Sequence, residues 1–306
     1  DRYLLAANLR ADGSSKFAKN NRWGVFPSVS GGWRISEEAF FEGVKHTFNN
    51  LKLRGSWGQL GNQNIYDNYP TYSIIRNNTD NDGYYSVFGE GETPTLGRFE
   101  SNIPNPDIKW EVTTQWNVGV DMGFLNNSLE VVMDYYNKTT SDILLQVPIT
   151  SLAGVSTAPW VNAGEVENKG FEAAVTYHKQ NGDFKYDIAA NFATLTNKVL
   201  ALGASQAIYA STFRGNTLVR TTTGLPIGYF YGYKTDGLFQ SDAEADAYVN
   251  ANGQAYQSSA VAGDVKFVDI DGNGVIDADD RTNLGSGFPK LTYGLNFNAS
   301  YKHFDV

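Results

Sequence analysis

The sequence predicts an all-β fold and, within that class, a transmembrane antiparallel β-barrel with long loops on one side. Three observations carry this. Apolar and polar side chains alternate over stretches longer than soluble strands, which run about 5–6 residues. The segments between those stretches are long and short in turn. No apolar run approaches the ~18 residues that a membrane-crossing helix needs, whereas barrel strands hide their hydrophobicity in alternation. The clearest stretch is Trp110 to Phe124, WEVTTQWNVGVDMGF. Its even positions are apolar or β-branched and its odd positions are polar or glycine. Successive side chains of a strand point to opposite faces, so one face is greasy and the other wet. At about 3.3 Å per residue the stretch covers roughly 46 Å. A tilt of about 40° leaves ~35 Å of height, enough to cross a bilayer with Trp110 and Phe124 at its two interfaces.

The same period recurs along the chain. Tyr3, Leu5, Ala7, Leu9 and Ala11 share one side of 1–12, with Leu4 breaking the other; Trp23, Val25, Val29, Trp33 and Ile35 mark 22–36. Leu51, Leu53 and Trp57 mark 51–60. After 110–124 come 127–138 (Leu129 to Tyr135), 166–178 (Phe171 to Tyr177), 184–197 (Tyr186 to Phe192) and 289–302 (Leu291 to Tyr301). This gives about eight strands. The connections are 13–21, 37–50, 61–109, 125–126, 139–165, 179–183 and 198–288. Counted alternately, one set holds all three very long segments. The other holds tight turns plus 37–50, whose SEEAFFEGVKHTF reads as a short helix. Barrels keep short turns on the periplasmic side and long loops outside, so 61–109, 139–165 and 198–288 are expected outside the cell.

Composition narrows the function. There is no cysteine, hence no disulfide or thiolate chemistry. A net charge of −9 argues against nucleic acid as a partner. His46, His178 and His303 are the only histidines, and no metalloprotease or nucleophile-elbow motif surrounds them. Ser211 reads as a loop residue, and LGSGFPK (284–290) as a glycine turn leading into a strand. The sequence predicts no catalytic residues and no enzyme. The chain opens inside a strand pattern and stops just after a strand, so it is expected to be part of a longer protein.

Several runs carry a resemblance: LRADGSSKFAKNNRWGVFPSVSGGWRISEE, LKLRGSWGQLGNQNI, NPDIKWEVTTQWNVGVDMGFLNNSLEVVMDYYNKTTSDIL, NAGEVENKGFEAAV, GLPIGYFYGYKTDGLFQ and GDVKFVDIDGNGVIDADDRTNLGSGFPKLTYGLNFNASY. In that order they resemble the later barrel half of SusC/RagA-family TonB-dependent outer-membrane transporters, over nearly the whole chain. The resemblance implies that 1–306 is part of one barrel of about 22 strands with a plugged lumen. It implies active import of a nutrient, an oligosaccharide or a peptide, across the outer membrane of a Gram-negative bacterium. It further implies a SusD-like surface lipoprotein as lid, and energy from TonB–ExbB–ExbD. Plug domain, TonB box and closing strands are not found in these residues. Arg10, Gln115, Asn117, Asp121 and Asn191 would face the lumen, and the apolar positions the outer-membrane lipid.

Within 198–288 lies an acidic loop, 269–280. Calcium takes six to eight oxygens, which a 12-residue loop supplies from positions 1, 3, 5, 7, 9 and 12 with a glycine at position 6. Asp269, Asp271, Asn273, the carbonyl of Val275, Asp277 and Asp280 fill those places, and Gly274 makes the turn. The last ligand is Asp rather than Glu, as in calcium loops of the dockerin type, and its shorter arm must come closer. Six carboxylates against Lys266 and Arg281 between 264 and 281 favour a counter-ion. A structural Ca2+ is therefore expected; a solvated acidic turn is the alternative.

Tyr229, Tyr231 and Tyr233 of YFYGY, with Trp160 in another expected outer loop, offer aromatic faces on which a ligand could stack. Packing at the barrel rim is the favoured reading of them, and the aromatic segment 66–85 carries the same two readings. Two other readings of the chain stay open. One is a self-contained small outer-membrane barrel acting as adhesin or enzyme. The other is a secreted, calcium-stabilised β-sandwich that binds glycans.

Overall fold

The computed structural model describes residues 1–305 apart from 78–86, 89–94, 97, 148, 150, 151, 153, 154, 156 and 204–206. Tyr84 and Tyr85 of the aromatic 66–85 segment lie outside the described residues. The strands are β1 (Tyr3–Gly13), β2 (Trp23–Arg34), β3 (Phe48–Asn62), β4 (Ile75–Asn77), β5 (Val87–Phe88), β6 (Thr95–Leu96), β7 (Arg98–Glu100), β8 (Glu111–Phe124), β9 (Leu129–Gln146), β10 (Trp160–Asn181), β11 (Phe184–Thr194) and β12 (Thr196–Leu202). They continue with β13 (Ala207–Phe213), β14 (Asn216–Thr222), β15 (Tyr229–Tyr233), β16 (Thr235–Leu238), β17 (Val265–Phe267), β18 (Arg281–Gly285), β19 (Leu291–Tyr301) and β20 (Phe304–Asp305). The chain divides into two compact units. The first comprises residues 1–196, 200–205 and 290–306, and the second 197–199 and 206–289.

In the first unit all eight expected strands form and pair with their neighbours in sequence, in the order β1-β2-β3-β8-β9-β10-β11-β19-β20. Every pairing is antiparallel. The register aligns the apolar faces. Tyr3, Trp33, Leu53, Val120, Met133, Ala173, Phe192 and Tyr293 are successive partners across the whole sheet. The adjacent row is Leu4, Gly32, Arg54, Gly119, Asp134, Glu172, Ala193 and Thr292. A one-residue slip of any strand would interchange the two rows. Large apolar side chains of the first face stand exposed, Leu5 at 82 % and Tyr293 at 84 % among them. Among the described residues β1 and β20 do not pair, so the sheet is an open wall. A self-contained eight-stranded barrel would require that closure.

Two expectations are corrected. The 139–165 loop is mostly strand: β9 runs to Gln146 and β10 starts at Trp160, with register shifts around Gly164. The pair extends past the expected strand ends and leaves only 147–159 between its strands. The short helix expected in the link after β2 forms, as the 3₁₀ helix Ala39–Val44 preceded by a 3₁₀ turn at Ile35–Glu37. Trp110 does not sit at a lipid interface. It is buried with Phe17, Phe26, Ile65, Ile108 and Leu144 where the 13–22 and 63–65 segments fold in. Its indole donates to the Arg22 carbonyl at 3.2 Å, which satisfies the one polar atom of the ring.

The tight turn after β8 forms as expected. Leu125, Asn126 and Asn127 all take the left-handed conformation. The Asn49 side chain accepts from the Asn126 and Asn127 amides at 2.6 and 3.4 Å.

The second unit, read from the sequence as a loop, has its own secondary structure. Its described residues hold a four-stranded antiparallel sheet in the order β13-β14-β15-β18, the β16–β17 ribbon, the α-helix Asp242–Ala247 and a 3₁₀ turn at Ala278–Asp280. Ser241 caps that helix by accepting from the Glu244 amide at 3.2 Å. Phe239 is fully buried against Tyr248, whose hydroxyl donates to the Phe267 carbonyl at 2.7 Å. Ser211, expected in a loop, falls within β13.

Candidate functional site

The polar face of the wall is organised by charge. Arg54 donates to Asp121 at 2.7 Å and to Asp134 at 2.6 Å, and Lys52 lies 3.4 Å from Asp121. These residues occupy three neighbouring strands, so the pairs tie β3, β8 and β9 together above the backbone ladder. Gly119 sits between the strands that bear them; a Cβ there would strike Asp134 and the Arg54 guanidinium. Gln115 donates to Asn117 at 2.9 Å, and Arg10 pairs with Asp12 at 2.7 Å. A hollow of about 470 Å³ on this face is lined by Asn8, Arg10, Ser28, Ser56, Gln115 and Asn117, among others.

In the second unit the acidic loop folds as a chain of side-chain-to-backbone turns. Asp269 accepts from the amides of Gly272 at 2.7 Å and Gly274 at 2.9 Å. Asp271 accepts from Asn273 at 3.0 Å, and Asn273 from Val275 at 2.8 Å. Such bonds are what short Asx side chains supply locally. Gly274 takes φ +89°, and its carbonyl accepts from Asn250 at 2.8 Å. Asp280 is fully buried and accepts from the amides of Ile270 at 2.6 Å and Asp277 at 2.8 Å. Burial pushes its carboxyl up, but the hydrogen bonds from Asp277, Ile270 and Asp271 outweigh that and hold it below the ordinary 3.8.

Carboxylate oxygens of Asp269, Asp271 and Asp280 converge within 4.8 Å of one another. Asp277 lies outside that group; it accepts from Asp279 at 2.8 Å and faces Asn273 at 3.5 Å. Neither flanking cation neutralises the cluster. Lys266 goes to Asp236 and Glu244, and Arg281 to Asn216. Three hard oxygen groups without a cationic side chain fit a divalent hard ion.

The four aromatic candidates do not form one group. Trp160 opens β10 and packs, half-buried, against the Trp110 cluster of the first unit. Tyr229 is buried, with its hydroxyl 3.3 Å from that of Thr222. Tyr231 and Tyr233 are half-buried on the same face of β15, each with an arginine against its ring.

The family model described as "TonB dependent receptor-like, beta-barrel" matches residues 1–305. The chain belongs to the TonB-dependent receptor β-barrel family. Members of this family are outer-membrane proteins of Gram-negative bacteria, transporters rather than enzymes. TonB-dependent receptor P3 of Formosa agariphila is 32 % identical to all of this chain, which spans 29 % of its length. TonB-dependent receptor SusC of Bacteroides thetaiotaomicron is 30 % identical, again over all of the chain and 29 % of the relative. Among solved structures, that of the RagAB peptide transporter aligns with a TM-score of 0.74 and 25 % identity, covering 99 % of this chain and 30 % of its own. The chain thus spans under a third of the TonB-dependent receptors it matches. The family match overturns the secreted-sandwich alternative, and the single long meander has the geometry of a barrel wall.

Sequence reasoning did not single out Arg220, Tyr209 or Asn283, and read Arg281 only as a cation beside the acidic loop. Arg220 lies in NTLVRTT, a short run with no distinctive spacing. Only the pairing of β13, β14, β15 and β18 brings these residues to one sheet face.

Proposed function

We propose that this chain is part of the barrel wall of a SusC-type importer that takes up an oligosaccharide or a peptide across the outer membrane. The supporting observation is the pair of adjacent rows through eight consecutive strands. One is wholly apolar with large exposed side chains, and its neighbour carries Arg54, Asp134 and Glu172. Lipid on one side and a watery lumen on the other require that division. Open sheet edges are not tolerated in hydrocarbon, so β1 and β20 need further strands, in keeping with the greater length of the relatives. On this reading the second unit lies outside the cell beneath a SusD-like lipoprotein. TonB–ExbB–ExbD acts through parts of the protein outside this chain. Deletion of the gene should abolish TonB-dependent uptake of the native nutrient, and supplying fluorescent oligosaccharides or peptides in turn identifies which. Uptake that persists in the deletion strain refutes the reading.

Calcium belongs to the same proposal. Asp269, Asp271, Asn273, the Val275 carbonyl, Asp277 and Asp280 would hold it, with Asp277 acting through water. It would neutralise the converging carboxylates and stiffen the second unit. Calorimetry on the purified protein should show calcium uptake that Asp269→Ala removes; equal uptake by both proteins refutes the site.

A further inference from the structure

The arginines of the wall strands β1, β2 and β3 and those of the small sheet are treated differently. In the wall Arg10, Arg34 and Arg54 each reach a carboxylate. In the second unit Arg220 and Arg281 reach none among the described residues, although the chain carries 33 acidic residues against 24 basic ones. They rest on tyrosine rings instead. The Arg220 guanidinium lies 4.9 Å from the Tyr231 centroid and 5.3 Å from that of Tyr209, the two rings being 6.4 Å apart. Arg281 lies 5.1 Å from the Tyr233 centroid and donates to Asn216 at 3.2 Å.

The strand register explains the grouping. Tyr209 pairs with Arg220, Arg220 with Tyr229, Tyr231 with Asn283 and Tyr233 with Arg281, so all share one face of the sheet. Tyr231 and Tyr233 are two residues apart on β15, with Arg220 on the strand to one side and Arg281 on the strand to the other. The Arg220 Nε is covered and has no acceptor among the described residues. Its terminal nitrogens are left to do the donating.

A guanidinium fixed over aromatic rings keeps its charge and presents a planar fork that fits a carboxylate or a sulfate. We infer that this face binds an acidic oligosaccharide, one whose units carry carboxylate or sulfate groups, with Arg220 and Arg281 as its two oxyanion receptors. The tyrosines hold the guanidinium groups, and their outer rims with Asn283 offer apolar surface and hydrogen bonds to a sugar ring. An acidic peptide is the weaker fit, because strand-like peptide recognition uses a sheet edge and these groups lie on a sheet face. The inference names the ligand class of the proposed importer and rests on that reading only for what happens after binding.

The test is calorimetry on the full-length protein in detergent, against trigalacturonate, a sulfated galactose trisaccharide, maltotriose and tetra-aspartate. Expected is binding of one acidic trisaccharide at least about tenfold tighter than maltotriose, weakened by salt; the two acidic sugars decide between carboxylate and sulfate. Arg220→Gln should abolish the preference. Arg220→Lys, which keeps charge but loses the fork, should weaken binding about tenfold with an unchanged circular dichroism spectrum and melting profile. Equal binding of maltotriose, tighter binding of tetra-aspartate, or an unaltered Arg220→Lys protein would overturn the inference. Uptake retained without acidic-sugar binding sinks only this inference; binding retained without uptake sinks only the importer reading.

Discussion

The wall and the small sheet of the second unit use the same antiparallel hydrogen bonding and opposite side-chain economies. The eight long wall strands run from 11 residues in β11 to 22 in β10, and Arg54, Asp121 and Asp134 are paired away from the apolar row. The strands of the second unit run from 5 to 7 residues in β13, β14, β15 and β18, and their arginines lie unpaired with carboxylates on a tyrosine face. Solvent sets the difference. A strand in lipid must cross the hydrocarbon and hide every charge on its other side, whereas a strand in water can be short and can display charge.

The most forceful way to break this contrast is a charge in the apolar row. Val120→Arg should destabilise the folded barrel in lipid vesicles by about 2–4 kcal/mol. Leu238→Arg, at a half-exposed site in β16, should stay within about 0.5 kcal/mol; urea titration followed by heat-modifiable gel migration reads both. Equal costs would mean that lipid is not the solvent of the wall. Next in size is calcium. Held at about 100 times its dissociation constant, a bound ion adds about 2.7 kcal/mol. Chelation should therefore speed exchange of the Gly272 and Gly274 amides about 100-fold while the wall amides stay as they were. Gly119→Ala should cost about 1–2 kcal/mol by pushing Asp134 off Arg54. Added to Asp134→Ala it should cost little more, and additivity in that cycle would disconnect the glycine from the ion pair.

The smallest effect concerns pH at the wall's end. Glu38 accepts from the Tyr3 hydroxyl at 2.6 Å and the Trp33 indole at 3.1 Å, which hold its carboxyl below the ordinary 4.5. A lowered folded value means that this contact contributes fully above pH 4.5 and is lost as pH falls through the lower folded value. Trp33 fluorescence should change in that acid range and lose the transition in Glu38→Gln. A transition that survives the substitution assigns it to another group.

The wall was legible because period-2 alternation persists long enough to exceed chance, and pairing then follows sequence order. Strand ends were less so. Trp110 continues the alternation of β8, but whether a terminal tryptophan meets lipid or protein depends on Phe17 and Ile65, which lie far off in sequence. β9 and β10 were cut short because Thr139 to Ser141 are polar on both faces and Asn162 to Glu165 show no apolar alternation. In the second unit the acidic turn was legible as a pattern, since its residues are close in sequence. The arginine–tyrosine face was not, because Arg220 and Arg281 are 61 positions apart and meet only through the intervening β15.

The unpaired rims of β1 and β20 have a practical corollary. Expressed by itself, this segment would carry rows of free peptide groups beside oily side chains, a template on which further copies could add strand by strand. Its refolding would therefore compete with polymerisation, worsening with concentration. Whatever strand nature places beside β1 must set oily residues opposite Leu5, Ala7 and Leu9, which gives a rule for finding that neighbour in a longer polypeptide.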